Sequence, residues 1–492
     1  MNTQQETDEV RLSTGVVGLD EVLHGGLLPG RTYLVRGGPG TGKTMLGLHF
    51  LAVGARRGER ALFITVEEST EQICKDARAL GFVLDGVRFV DLTPGSELFT
   101  KAQSYDIFSP AEVEREPTTR MIVKEIESVR PDRVFLEAMT QLRYLSPDAF
   151  QYHKQVLSLL RFLEERGATV LFTSEASDIT SDEHLQFLSD GVLHVESTHT
   201  HRGIGVIKFR GSDFEPGIHS LRLTDHGMEV YPTLVPDRHG RQFPAEAMGS
   251  GIRGIDEQLH GGLERGTVTV LNGPAGVGKT TLGMSFIKEA AARGERSCVY
   301  LIEESVETMQ RRCEAVGIPI RAMVERGTLS VVHLEPLRYT ADELAHVIRQ
   351  EVEQRHTRII MMDSVAGYRL CVRGDDLTRH LHALCAYLRN MGVMVLLVNE
   401  SETITGDLSR ADSGASYLAD NVIFLRYLEL RGRLERAIGV RKKRVSDFET
   451  TLRELEITTM GVRVGRPLTE LRGILTGAPD FAKDSSNGSR AA

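Results

Sequence analysis

Gly37-Gly38-Pro39-Gly40-Thr41-Gly42-Lys43-Thr44 and Gly273-Pro274-Ala275-Gly276-Val277-Gly278-Lys279-Thr280 decide the fold. Both fit the phosphate-binding pattern G-x-x-x-x-G-K-[ST], and each follows a β-rich run, Thr32–Arg36 (TYLVR) or Thr267–Leu271 (TVTVL). Glycines at these positions let backbone N–H groups converge on phosphate oxygens, helped by the positive end of the following helix. Lys43 and Lys279 would then reach the β/γ-phosphates of ATP, and the hydroxyls of Thr44 and Thr280 would ligate Mg²⁺. A glycine-rich turn without ligand could imitate one such match. Two matches in register within a repeat leave that reading little room.

The repeat extends well beyond the loops. Gly15-Val16-Val17-Gly18-Leu19-Asp20-Glu21 recurs as Gly251-Ile252-Arg253-Gly254-Ile255-Asp256-Glu257, and Leu23–Leu27 (LHGGL) recurs as Leu259–Leu263. Arg57–Arg60 (RGER) matches Arg293–Arg296, and Glu67-Glu68-Ser69 matches Glu303-Glu304-Ser305, all at one common offset. So long a period means two whole domains rather than a solenoid. The expected division is residues 1–240 and 241–477, with a polar tail at 478–492. The linker falls near Pro232–Met248, where three prolines cluster with polar residues.

Each half alternates strand and helix. Ala61–Val66 and Ser297–Ile302 read as second strands, Val134–Leu136 and Ile359–Met362 as third, Thr169–Phe172 and Val393–Val398 as fourth. Tyr152–Arg166 reads as an intervening helix, with Val156, Leu159, Leu160 and Leu163 on one face. The fold class is therefore α/β: two tandem P-loop domains, each a mainly parallel sheet flanked by helices. Ligands of such sheets bind at the carboxyl ends of the strands.

The paired carboxylates Glu67-Glu68 and Glu303-Glu304 end the strand after each P-loop helix. One of each pair would orient or deprotonate the water that attacks a γ-phosphate. The plainer alternative is a solvated helix start, since E-E-S-x-E also suits a first helical turn. The third strand should end in an acid that supports Mg²⁺. Asp363 does so in the second half, followed by Ser364; in the first half the positions are Glu137 and Ala138. Binding is thus expected at both sites, and hydrolysis more securely at the second.

Composition narrows the class. Of 492 residues 41% are hydrophobic and 26% charged, with a net charge of −9, which suits a globular chain and disfavours a broadly basic nucleic-acid surface. The five cysteines (Cys74, Cys298, Cys313, Cys371, Cys385) form no C-x-x-C pair, so reduced thiols in a cytoplasmic protein are expected. The sequence offers neither a secretory signal nor a membrane-length apolar run.

With these residues placed, the chain resembles the KaiC family, the RecA-like ATPases of the bacterial circadian clock and their non-clock relatives. The likeness runs from about Ser13 to Gly477. It includes the S-T-G-x-x-G-L-D opening (Ser13–Asp20), both P-loops, both E-E-S motifs and the terminal Leu471–Gly477 (LRGILTG). The resemblance implies a homo-hexameric double ring with ATP bound between subunits and KaiB-like or other signalling partners. It also implies an N-terminal ring that is chiefly an ATPase and a C-terminal ring that phosphorylates and dephosphorylates itself. Lys208 and Arg210 in the first half, and Lys442 and Arg444 in the second, match the family's residues that contact a neighbour's phosphates; a solvated basic strand is the alternative. Ser416 holds the family's first phosphoacceptor position, but Tyr417 holds the second, so a two-site phosphorylation cycle is not expected. Ser96–Pro117, near the family's partner-docking surface, is uninformative. A RecA- or DnaB-like motor on DNA, or an ATP-gated scaffold, are the competing readings. The acidic balance and the lack of a basic appended domain disfavour the motor.

Overall fold

The computed structural model describes residues 10–93, 115–145, 148–175, 182–198, 201–335, 338–373, 377–401, 418–430, 432–472, 474 and 480–481. Ser416, Tyr417, nearly all of Ser96–Pro117, most of the polar tail and most of Gly473–Gly477 lie outside the described residues. The chain divides into two compact units, Met1–Thr233 and Leu234–Ala492. Among the described residues no helix is long and apolar enough to cross a membrane.

Each unit is built on one nine-stranded sheet. In the first, the order across the sheet is Val87–Asp91, Ala61–Thr65, Arg133–Leu136, Thr169–Glu175, Thr32–Gly37, Gly191–Ser197, Arg202–Phe209, Ile218–Thr224 and Gly227–Tyr231. The first six run parallel and the last three form an antiparallel meander. The second unit repeats the order with Leu329–His333, Ser297–Leu301, Ile359–Asp363, Met394–Glu400, Val268–Gly273, Asn421–Leu430, Arg433–Lys443, Arg453–Thr458 and Gly461–Pro467. The four strands read in each half as apolar runs are present; Val87–Asp91, Gly191–Ser197, Leu329–His333 and Asn421–Leu430, also parallel, and the meanders are not among those read from the sequence.

The parallel strands are apolar on both faces because both faces are covered. In the first unit Tyr33, Val35, Phe63, Phe135 and Leu171 pack on one side, while Leu34, Leu62, Ile64, Val134 and Val170 pack on the other. The second unit alternates in the same way, with Leu271, Val299 and Met361 facing one core and Val270, Tyr300 and Ile360 facing the other. This two-sided burial holds the P-loop strand in the middle of the sheet and puts its glycine loop at the carboxyl edge.

Helices Lys43–Arg56 and Lys279–Ala292 start inside the loops. Both lie close against the third strand, and glycine makes the approach possible. A Cβ on Gly47 would stand 2.3 Å from the Phe135 ring, and one on Gly283 would stand 2.8 Å from Met361 Sδ. Gly47→Ala should therefore destabilise the first unit by about 1–3 kcal/mol, the usual cost of overpacking a core. Thermal denaturation measures it; an unchanged midpoint would mean that the helix does not seat this closely.

The stretch expected to be a linker is not free. Leu234 packs against the second core, Asn390 Nδ2 donates to Pro236 O at 3.0 Å, and Arg241 Nε donates to Met391 O at 2.6 Å. Proline and polar composition suggest looseness, but these residues bond to the end of helix Leu377–Asn390 and the turn after it.

Candidate functional site

The P-loops curl around their own lysines. Lys43 Nζ donates to Gly37 O at 2.9 Å and Gly38 O at 2.8 Å; Lys279 Nζ donates to Gly273 O at 2.9 Å and Pro274 O at 2.7 Å. The turn needs left-handed backbone at Gly40 and Gly42 (φ 68° and 104°) and at Gly276 and Gly278 (φ 72° and 113°), which glycine adopts without strain. Burial is the main force drawing the ammonium groups of Lys43 and Lys279 below the usual lysine range; neighbouring carboxylates oppose it.

The residue expected to share a metal with each P-loop threonine is beside it. Thr280 Oγ1 donates to Asp363 Oδ2 at 2.7 Å, and Thr44 Oγ1 donates to Glu137 Oε1. Burial raises Asp363 above the ordinary aspartate range, opposed by the Thr280 hydrogen bond and the charges of Arg312 and Lys279. Burial likewise raises Glu137, and Glu68 and Glu67 add repulsion. Glu137 is 8% exposed, and its Oε2 is buried with no hydrogen-bond partner among the described residues. A buried carboxylate oxygen beside a hydroxyl is a hard-oxygen donor set, which fits Mg²⁺.

The glutamate pairs occupy the turn after the second strand. Ser69 and Ser305 cap the following helices, Thr70–Ala79 and Val306–Ala315. The glutamates therefore precede the caps and lie outside the first helical turns. In the second unit they have different partners. Glu303 Oε1 accepts from Ser364 Oγ at 2.6 Å, and Glu304 Oε2 accepts from Arg312 Nη2 at 2.6 Å. The first unit has Ala138 in place of Ser364 and Asp76 in place of Arg312; Asp76 accepts from Gln72 instead. Glu67 is raised by burial and by the charges of Glu175 and Glu68.

A cleft of about 160 Å³ in the second unit gathers these groups. Gly276, Gly278, Lys279, Thr280, Asp363 and both glutamates line it, together with Arg312, Ser364 and Glu400. No aromatic residue lines it among the described residues. Three residues of the two sites escape a reading of the sequence: Glu400, its counterpart Glu175, and Arg312. Glu175 lies opposite Gly37 and Glu400 opposite Gly273 in the parallel ladders. Each ends an apolar β-run, the only local signal available.

The basic pairs lie elsewhere. Lys208 Nζ donates to Gln186 O at 2.9 Å and to Ser189 O, and Arg210 pairs with Asp190 at 3.7 Å. Asp190 Oδ2 in turn accepts from Thr32 N at 3.2 Å, at the start of the P-loop strand. Lys442 and Arg444 repeat the arrangement on Ala419 O and Asp420, next to Val268. Both pairs therefore stand at the opposite end of the P-loop strand from their own unit's glycine loop.

Fold and P-loop geometry together define a tandem P-loop protein with two RecA-like α/β domains. The family model described as "ATPase: KaiC" matches residues 12–235 and 248–469. The chain belongs to the KaiC family of ATPases. Over nearly its full length it is similar to the circadian clock oscillator protein KaiC of Synechococcus elongatus (27% identity, covering 97% of this chain and 93% of the relative). It is also similar to that of Acaryochloris marina (26%, covering 97% and 93%). The circadian clock protein KaiC3 of a Synechocystis species is 26% identical, covering 98% of this chain and 97% of the relative.

Proposed function

We propose that the chain hydrolyses ATP at both P-loops within a homo-hexameric double ring, and that the second domain also phosphorylates and dephosphorylates a hydroxyl of the ring itself. The observation that carries this reading is the second cleft. Lys279 and the loop N–H groups would hold the phosphates, Thr280 and Asp363 would hold Mg²⁺, and Glu303 stands oriented by the Ser364 hydroxyl. Bound there, the ion supplies charge neutralisation at the β- and γ-phosphates.

The chain's own part is to place a base and exclude competing geometry. Glu303 takes a proton from the attacking water as its oxygen bonds to the γ-phosphorus. The bond from that phosphorus to the bridging oxygen breaks, and ADP leaves with the electron pair. In autophosphorylation a serine hydroxyl takes the place of water; Ser416 is the proposed acceptor, on the family resemblance alone. Lys208, Arg210, Lys442 and Arg444 are proposed to meet a neighbouring subunit's phosphates, supported by their distance from their own P-loops. The first site, with Glu137 and Ala138, is proposed to bind ATP and turn it over more slowly. Clock or other signalling output is proposed from the names of the relatives, and KaiB-like partners from the family resemblance alone.

Incubation of the purified protein with γ-labelled ATP tests the two activities separately. Label is expected both in free phosphate and on protein, with the protein label mapping to a serine of the second domain. Free label without protein label from an intact ring would leave an ATPase and remove the autokinase.

A further inference from the structure

We propose that Arg312 is a nucleotide-contacting residue of the second site, held by Glu304 at the wall of the cleft so that its guanidinium meets the terminal phosphate of ATP. The inference rests on the reading of this cleft as an ATP site and adds a residue to it. Arg312 projects from helix Val306–Ala315 and lines the same cleft as Lys279, Thr280 and Asp363. One N–H of its fork goes to Glu304 at 2.6 Å. The side chain is 41% exposed, so its remaining donors face solvent and the cleft. A guanidinium has five N–H donors in a rigid plane, and one anchored edge leaves the other to take phosphate oxygens.

The duplicated site supplies the contrast. The position equivalent to Arg312 is Asp76, so the first unit carries an acid where the second carries a cation. Glu68 consequently lacks the partner that Glu304 has. The two second-site glutamates thereby divide the work, with Ser364 orienting Glu303 toward water and Glu304 positioning Arg312. This cation acts within its own chain, unlike the basic pairs at the far end of the P-loop strand.

Arg312→Ala in the full-length chain carrying Lys43→Ala, which silences the first P-loop, tests the assignment by calorimetric titration with ATP and with ADP. ATP affinity is expected to fall about 10-fold, the worth of one charge-assisted contact, and ADP affinity to change less than about twofold. Arg312→Lys should recover part of the loss. Unchanged ATP affinity, or equal losses for ATP and ADP, overturns the proposal, because a merely structural ion pair would move both nucleotides together. Lys279→Ala in the same background serves as the reference: if it still binds ATP normally, the reading of the cleft itself fails, whatever Arg312 does.

Discussion

Glu303→Gln is expected to lower ATP turnover at the second site by about 10²- to 10³-fold, the usual contribution of a positioned general base. Shape and volume are nearly conserved, and Gln can still accept from Ser364, so ATP affinity should stay within about threefold. The rate is read as phosphate release from full-length protein carrying Lys43→Ala. Glu304→Gln should cost turnover less, because the Glu304 carboxylate is committed to Arg312. Turnover of the Glu303 variant within about threefold of its parent would remove the base assignment. A larger loss from Glu304→Gln than from Glu303→Gln would reverse the roles of the pair.

Glu137→Gln is expected to move stability and activity in opposite directions. The Glu137 carboxyl is buried, so its folded pKa stands above its unfolded value. Ionisation therefore costs folding stability. The cost is absent below the unfolded pKa of about 4.3, grows as pH rises from there, and is complete above the folded pKa. In metal-free, nucleotide-free protein the amide should raise the thermal midpoint of the first domain by a few degrees at about pH 8, and this gain should vanish at about pH 4. First-site turnover, measured with Lys279→Ala to silence the second, should fall about 10²-fold, because the ion loses its carboxylate. A lowered midpoint in the alkaline sample would contradict the burial cost, and unchanged turnover would remove Glu137 from the metal site.

Much of this is legible in the chain because the signals are local. A buried parallel strand must be an unbroken apolar run, and a phosphate loop must spend glycines at fixed intervals, so Thr32–Thr44 and Thr267–Thr280 announce themselves. Thr44 with Glu137, and Thr280 with Asp363, pair up once the strand order that such loops imply is assumed. What stays hidden depends on register between distant segments. Nothing near Glu175 marks it as the neighbour of Gly37; only the ladder between two strands does. Arg312 reads as an ordinary helix cation until helix Val306–Ala315 turns it over the cleft. The meanders escape because half-buried antiparallel strands such as Arg433–Lys443 mix polar and apolar residues without a clean run. Within Pro232–Met248, read as a linker from its prolines and polar residues, the bond from Arg241 to Met391 across 150 residues is likewise hidden from composition.

Gly47 and Gly283 carry a consequence for how the two halves could drift apart. Each lets its helix rest directly on the strand that delivers the acid, so the place of the threonine hydroxyl is set by main chain against a ring or a thioether. In each half this close seat thus falls on a residue with no side chain. Around that seat the two copies differ at residues proposed to carry chemistry. One copy has Glu137 and Ala138 where the other has Asp363 and Ser364, and the two share one sheet order. A duplicated scaffold of this kind lets its two halves differ at their sites without a change of fold.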